Sequence, residues 1–328
     1  MKSLIVGDMH IQPNNLKESE NIFDFILKTA KKHKIKNIKF LGDMFHTHGI
    51  IRVECLYFLN EQFKKIPKDV TIDAIIGNHD KILGQSEHAG KHSLREFVGK
   101  YPNIKIIDEV AEYDNLTYIP YIHNETEFME VINNSQNNTV ICHQTFNGAN
   151  YENGFYAKDG FDITKIKPEI KHVISGHIHS SQEFDRIWYT GNPRWITNAE
   201  ANQEKGIWIV DMENPKDREF ISVRGVAIAI NKHIIREGEE LPKFDLNDRN
   251  FVELIGTSIW CSDTKKKIKA GISVKTIFTD KQEVKFNNSQ LPSINEYLDN
   301  NFTLTGITDI IKSNEYKVKI KEYLNGVI

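Results

Sequence analysis

Ile38-Lys39-Phe40-Leu41-Gly42-Asp43-Met44-Phe45-His46 runs from a short apolar stretch through one glycine to a carboxylate and an imidazole. A run this short and this apolar reads as a buried strand, and the glycine turns the chain so that the polar residues stand at its carboxyl end. The same pattern recurs along the chain. Leu4 to Val6 precedes Gly7-Asp8-Met9-His10, and Ile72 to Ile76 precedes Gly77-Asn78-His79-Asp80. Thr139 to Ile141 precedes Cys142-His143, and His172 to Ile174 precedes Gly176-His177-Ile178-His179. Ile187 to Tyr189 and Ile207 to Val210 read as two more strands. Between the first runs, Ile22, Phe23, Ile26, Leu27 and Ala30 share one helical face, as do Val53, Leu56, Leu59, Phe63 and Ile66. Strands alternating with amphipathic helices predict an α/β domain that ends near residue 225.

In α/β sheets ligands gather outside the carboxyl ends of strands, so five such ends predict one convergent site. The residues standing there, Asp8, His10, Asp43, Asn78, His143, His177 and His179, are all of metal-ligating types. In Asp8-x-His10 and His177-x-His179 the i, i+2 spacing puts both side chains on one face of an extended segment. Imidazole with carboxylate and amide oxygen suits Mn, Fe or Zn better than Ca or Mg, and seven ligands suffice for two ions if Asp43 bridges them. Two divalent ions, two carboxylates and one bridging hydroxide leave a single positive charge to face the single negative charge of a phosphodiester. Such a pair, roughly 3.5–4 Å apart, lowers the pKa of the bridging water and clamps the oxygens of an in-line displacement, the chemistry of phosphoesterases and nucleases.

The chain has 328 residues, 39% hydrophobic and 27% charged, with 42 Lys and Arg against 45 Asp and Glu and a net charge of -3. That composition excludes collagen-like, disordered and strongly basic classes, so a nucleic-acid role must rest on local charge or on a partner. Three dispersed cysteines, Cys55, Cys142 and Cys261, form neither a disulfide framework nor a CxxC zinc site and point to a reducing cytoplasm. No run approaches the roughly 18 apolar residues of a membrane span, and no signal-peptide core is seen. The length suggests two domains. Val226 to Ile230, Phe251 to Ile255 and Ile272 to Phe278 are expected to be strands of a smaller α+β cap over 226–290. A helical tail over 291–328 contains Ile294 to Leu298 and Ile307 to Leu324.

Taken in order and spacing, D-x-H, G-D, G-N-H-[DE], H and G-H-x-H make the chain resemble the calcineurin-like metallophosphoesterase superfamily over roughly residues 1–225. The resemblance implies a four-layer α/β/β/α sandwich. It also implies a dinuclear site with Asp8, His10, Asp43 and His179 on one ion and Asp43, Asn78, His143 and His177 on the other. The second motif, Gly-Asp-Met-Phe-His, together with the cap, Gln182-Glu183-Phe184 and Tyr189-Thr190-Gly191-Asn192-Pro193, resembles the break-repair nucleases of the SbcD and meiotic-recombination-eleven group, phage recombination nuclease subunits included. That group implies a manganese-dependent DNA exonuclease or endonuclease acting in recombination, repair or DNA degradation. In it His79 would protonate the leaving 3'-oxygen or stabilise the pentavalent phosphorus, and His46 would help place the DNA. It implies a homodimer through phosphoesterase helices, for which Tyr57 and Phe58 on the Arg52 to Ile66 helix are candidates. It further implies an SMC-like ABC ATPase partner of the SbcC type, docked through the C-terminal helix.

Other residues carry blander expectations. His33, His48, His88, His92, His123, His172 and His233 are read as structural or surface histidines, and the i, i+4 pair His88 and His92 as a solvated face. Asp80 orients a neighbouring histidine or stabilises its turn. The Lys265-Lys266-Lys267-Ile268-Lys269 run is read as an exposed turn, with phosphate contact as the alternative. Tyr189, Asn192 and Arg194 are candidates for lining a substrate groove. Alternative functions are a small-molecule phosphodiesterase or phosphatase, favoured by the lack of basic excess, and a metal-free interaction scaffold, disfavoured by the intact ligand set.

Overall fold

The computed structural model describes residues 2–82, 91–151 and 154–280. The chain divides into two compact units, Met1–Ile277 and Phe278–Ile328, and of the second only 278–280 are among the described residues. In chain order the strands are β1 (Lys2–Val6), β2 (Asn37–Phe40), β3 (Thr71–Ile75), β4 (Ile104–Ile107), β5 (Ala111–Tyr113), β6 (Leu116–Ile119), β7 (Thr139–His143), β8 (His172–Gly176), β9 (Gln182–Phe184), β10 (Ile187–Tyr189), β11 (Gly206–Asp211), β12 (Arg218–Ser222), β13 (Ile230–Arg236), β14 (Arg249–Gly256) and β15 (Ser273–Phe278). The α-helices are α1 (Leu16–His33), α2 (Val53–Lys64), α3 (Glu125–Asn134) and α4 (Ser258–Lys267).

Two six-stranded sheets, ordered β12-β11-β1-β2-β3-β4 and β5-β6-β7-β8-β10-β9, carry the first unit. Within them β1 to β4 run parallel, as do β6, β7, β8 and β10, so their carboxyl ends share one edge of each sheet. Alternation along single strands separates the layers, because successive side chains point to opposite faces. Leu4 and Val6 of β1 pack with Ile22, Phe23 and Ile26 of α1 and Leu59 and Phe63 of α2, while Ile5 between them packs with Tyr118, Ile141 and Ile174 of the second sheet. In β7, Val140 and Cys142 pack on the other side with Phe128 and Ile132 of α3. Helix, sheet, sheet, helix is therefore the order of layers. Between the sheets Lys39 is fully buried, its Nζ 2.8 Å from Asp73 Oδ2 and 2.6 Å from the Tyr118 hydroxyl, and Tyr113 and Asn37 also donate to Asp73.

The third sheet, β13-β14-β15, has its own small core of Ile235, Val252, Leu254 and Cys261. Its first strand differs from expectation. Val226 to Ile230 is not a strand: Gly225 takes a left-handed φ of 81°, Val226 and Ala227 donate to the Val223 carbonyl, and the strand begins only at Ile230. Helix α4 was not expected either. Its last turn holds Lys265, Lys266 and Lys267, exposed and placed where cations favour the helix dipole, with Lys266 paired to Asp263 at 2.9 Å. The expected tail helices lie outside the described residues.

Candidate metal centre

All five motifs reach one place because of the parallel strand order. Asp8 and His10 follow β1, Asp43 and His46 follow β2, and Asn78 and His79 follow β3, all on the first sheet. His143 ends β7, and His177 and His179 follow β8 on the second. The first two loops are stitched together by His10 N donating to Asp43 O (2.9 Å) and Ile11 N to Met44 O (2.9 Å). Close approach of neighbouring loops within the first sheet, and of the two sheets to each other, leaves no room for side chains at two glycines. A Cβ at Gly77 would stand 2.1 Å from Asp43 Oδ1, and one at Gly176 2.4 Å from Leu41 O.

The structure brings together Asp8, His10 and His179 in one group, Asp43, His143 and His177 in another and His10, His46 and His79 in a third, the ligand atoms of each lying within 4.8 Å of one another. Asn78 joins the second group: its Oδ1 is 2.8 Å from both His143 Nε2 and His177 Nδ1. The expected extended geometry of the two i, i+2 pairs is not what is found. His10 (φ 44°), Asp43 (φ 48°) and His177 (φ 81°) are all left-handed, a conformation uncommon for side-chain-bearing residues. The turn at His177 separates it from His179 and sends the two imidazoles to different groups.

Hydrogen bonds decide which nitrogens remain as ligands. His143 Nδ1 donates to Leu41 O (2.7 Å) and His179 Nδ1 to Glu200 Oε1 (2.9 Å), so each ring turns Nε2 inward, where it is a bare donor atom once a cation takes the place of its proton. His143 Nε2 then faces Asn78 Oδ1 and, at 3.3 Å, Asp43 Oδ2. His179 Nε2 faces His10 Nε2 at 3.0 Å and Asp8 Oδ2 at 3.8 Å. Acceptors converging on acceptors call for positive charge between them. The titration behaviour agrees. Burial pulls His143 down, but Asp43 and Asp8 outweigh it and push it up to about 9. Burial raises Asp8 to about 6, Asp43 adding to the effect and His143 opposing it. Burial holds the His177 imidazole down to about 3, suited to offering a lone pair. The donor set of imidazole, carboxylate and amide fits divalent cations of the Mn, Fe or Zn type.

Beside the His10 group stand His46 and His79, both half-buried, with ring centroids 5.1 and 4.8 Å from that of His10. The Nδ1 of His79 hydrogen-bonds the His46 carbonyl and its backbone N donates to Asp43 Oδ1 (2.8 Å). His48, expected to be structural, lies over His79 with centroids 3.9 Å apart and its Nδ1 3.0 Å from Asn78 O. Asp80 accepts from the backbone N of Met44, Phe45 and Gly77 and from Ser93 Oγ, and so ties the second and third motif loops together rather than orienting a histidine.

The groove candidates fare differently. Tyr189 is fully buried in the core of the second sheet, its hydroxyl donating to Gln144 O and accepting from Phe146 N, so it offers no face to a substrate. Arg194 is buried too, donating to Ser19 Oγ (2.8 Å) and lying 3.5 Å from the His10 carbonyl and 3.6 Å from Glu18, which makes it a brace behind His10. Asn192 is buried with neither side-chain atom hydrogen-bonded among the described residues, and its backbone N donates to His179 O. His92 is not helical; it sits in an isolated bridge with Lys81 and pairs with Asp108 at 3.1 Å, while His88 lies outside the described residues. His233 pairs with Asn250 in the third sheet and His123 with Tyr121.

Sequence reading missed Glu200. It is fully buried, its Oε1 on His179 and its Oε2 accepting from Ile196 N and lying 3.6 Å from the buried Lys205 ammonium, which donates to His179 O at 2.7 Å. Burial pushes Glu200 up, but His179 and Lys205 outweigh it and hold it below the usual glutamate value. Nothing in the flanking Asn198-Ala199-Glu200-Ala201 marks this role.

Residues 1–181 match the family described as calcineurin-like phosphoesterase. Exonuclease subunit 1 of Enterobacteria phage T4 is 24% identical, over 81% of this chain and 88% of its own length. Among solved structures, GAP50, the anchor in the inner membrane complex of Plasmodium, aligns with a TM-score of 0.41 and 13% identity over 68% of this chain and 84% of its own. No helix among the described residues is long and apolar enough to cross a membrane.

Proposed function

Because the chain belongs to the calcineurin-like phosphoesterase family, we propose that it is a metal-dependent DNA nuclease that hydrolyses phosphodiester bonds in recombination, repair or DNA degradation. Similarity to a phage exonuclease subunit over most of both chains supports DNA as the substrate. The observation that carries the reading is the pair His46 and His79 beside His10, imidazoles close to the ligand groups yet outside the two carboxylate-containing ones.

When bound, two divalent ions, manganese in our reading, would acidify a water and neutralise the phosphodiester oxygens. Asp8, His10, Asp43 and His179 would hold one and Asp43, Asn78, His143 and His177 the other. With its Nδ1–H donating to the His46 carbonyl, His79 keeps Nε2 for the substrate; burial holds this imidazole below its ordinary value, and its protonated form would donate to the leaving oxygen or stabilise the pentavalent phosphorus. His46 orients the phosphodiester. Glu200 and Leu41 O fix the tautomers of His179 and His143 so that both present Nε2.

The remaining assignments belong to the same reading. The nuclease domain is 1–225, the cap 226–290 and the tail 291–328. Val53 (77% exposed) and Tyr57 (67%) on α2 support a homodimer surface, whereas Phe58 packs inward. The T4 relative is a subunit by name, which supports a partner, here an SMC-like ABC ATPase docked through 307–324. Three free, buried cysteines support work in a reducing cytoplasm.

The test is manganese-dependent hydrolysis of labelled linear duplex and single-stranded DNA, with bis-p-nitrophenyl phosphate in parallel, by the wild type and His79→Ala. Loss of a general acid costs about 10²- to 10⁴-fold, or about 2.7–5.4 kcal/mol, with metal content unchanged. A variant that loses its metals refutes the role of His79. Hydrolysis of the small diester without any DNA cleavage means either that the ATPase partner must present the DNA or that the substrate is small, the second reading, a small-molecule phosphodiesterase, which the net charge of -3 supports; adding the partner separates the two.

A further inference from the structure

The third of the ligand groups differs from the other two in composition. His10, His46 and His79 bring one ligand nitrogen each to within 4.8 Å of one another, and no carboxylate is among them. His10 is buried and the other two are half-buried, so the group keeps a side towards solvent. Backbone contacts hold the rings in place. His10 N donates to Asp43 O (2.9 Å), and the His10 carbonyl accepts from Asn15 Nδ2 (2.9 Å). His46 N donates to Ile11 O (3.2 Å), and the His46 carbonyl accepts from His79 Nδ1. The His48 ring lies over that of His79 with centroids 3.9 Å apart.

The spacing suits an ion. His10 Nδ1 and His46 Nδ1 stand 3.3 Å apart. That is long for a hydrogen bond, whose usual range ends near about 3.2 Å. It matches the separation of about 3.3 Å between two nitrogens on a tetrahedral zinc with bonds of about 2.0–2.1 Å. With Nδ1 committed to the His46 carbonyl, His79 has Nε2 to give as the third donor. Three imidazoles and one open position are a donor set that zinc completes with a water. Lacking carboxylates, the set favours zinc over manganese, which stands lowest in the divalent affinity series and prefers oxygen ligands.

Resting on the nuclease reading above, we propose that His10, His46 and His79 form an inhibitory zinc site that shuts off the manganese enzyme when zinc is in excess. Occupation stops the reaction in two ways, because a neutral imidazole has one lone pair to give. His10 giving Nδ1 to zinc carries its proton on Nε2, the nitrogen that faces His179 Nε2 at 3.0 Å, and so withdraws from the group it shares with Asp8 and His179. His79 giving Nε2 to zinc has no proton there for a leaving oxygen. The group of Asp43, His143 and His177 shares no residue with the zinc site, so inhibition does not require that its ion leave.

The experiment uses the full chain and His46→Gln, which removes a zinc ligand and none of the residues assigned to manganese. Titration calorimetry of chelator-stripped protein reads manganese affinity. Cobalt, which enters zinc sites and absorbs visible light intensely only when four-coordinate, is titrated into manganese-loaded protein to read the new site. Hydrolysis of bis-p-nitrophenyl phosphate against added zinc gives half-inhibition, each protein relative to its own zinc-free rate. Equal manganese affinity is expected, with four-coordinate bands in the wild type only. Half-inhibition of the variant is expected at a zinc concentration at least about tenfold higher, since even outer-shell changes cost about 10- to 100-fold in metal affinity. His79→Gln, a second variant, is expected to lose the same bands. Bands and half-inhibition unchanged by both substitutions overturn the site, because zinc then acts at the carboxylate-containing groups, and leave the nuclease reading intact. A His46→Gln protein that melts as the wild type but loses manganese also overturns it, since His46 then belongs to the manganese centre. A wild type that shows the bands yet hydrolyses neither the small diester nor DNA overturns the nuclease reading, and the inhibitory role with it.

Discussion

Glu200→Gln keeps the shape of a side chain whose two oxygens do different things, and each orientation of the amide fails in its own way. With the amide oxygen on His179 Nδ1, the NH2 group faces two donors, Ile196 N and the Lys205 ammonium, and leaves a buried N–H unpaired at a cost of about 1–3 kcal/mol. With the amide reversed, its NH2 donates to Nδ1 and forces the His179 proton onto Nε2, which faces His10 Nε2 and Asp8 and there ceases to be a ligand. Outer-shell changes of this kind cost about 10- to 100-fold in metal affinity, or about 1.4–2.7 kcal/mol. Titration calorimetry of chelator-stripped protein with manganese reads this directly, as a weakening of one of the two binding events. Refutation has a clear form. If the variant melts earlier but binds two ions with wild-type affinity, Glu200 only supports the fold and the account of the His179 tautomer is wrong.

Two further outcomes concern stability. Lys39→Met leaves Asp73 buried without its ammonium and is expected to cost about 3–5 kcal/mol in urea denaturation, while adding Asp73→Asn recovers part of the loss; strictly additive costs would mean the two do not act as a pair. His92 is held below its ordinary value because burial outweighs the pull of Asp108. The unfolded chain therefore binds a proton that the fold refuses, stability falls as pH drops through about 6.5, and His92→Gln makes that slope shallower in melting curves; unchanged slopes would refute the assignment.

Much of the architecture was legible because strands of parallel sheets are apolar on both faces and so stand out as continuous runs. The seven candidate ligand positions stood out because each follows such a run closely. Two of the residues that escaped share a cause: their partners are distant in sequence. Glu200 acts on His179 through an irregular segment with no periodicity, and His48 meets His79 across two loops. Tyr189 looked like a groove residue because it follows the last motif, but its place on β10 turns it into the core between the second sheet and α3. Helix α4 was hidden by its polarity: of its residues only Cys261 and Thr264 are buried. The strand assigned to Val226–Ile230 failed on the Gly225 turn, whose left-handed backbone outweighs the apolar pattern.

The left-handed backbones of His10, Asp43 and His177 bear on how this gene could age. Such a conformation costs a residue with a side chain on the order of 1–2 kcal/mol, so together the three take up a sizeable part of the roughly 5–15 kcal/mol that holds a domain together. On the nuclease reading, selection for activity would keep them. In a copy released from that selection, glycine or asparagine at these positions would relieve the backbone and raise the melting temperature of the metal-free fold as activity disappears. Decay of such a copy is thus expected to leave a sturdier protein that has lost its ligands first at these three sites, an order set by backbone geometry rather than by chance.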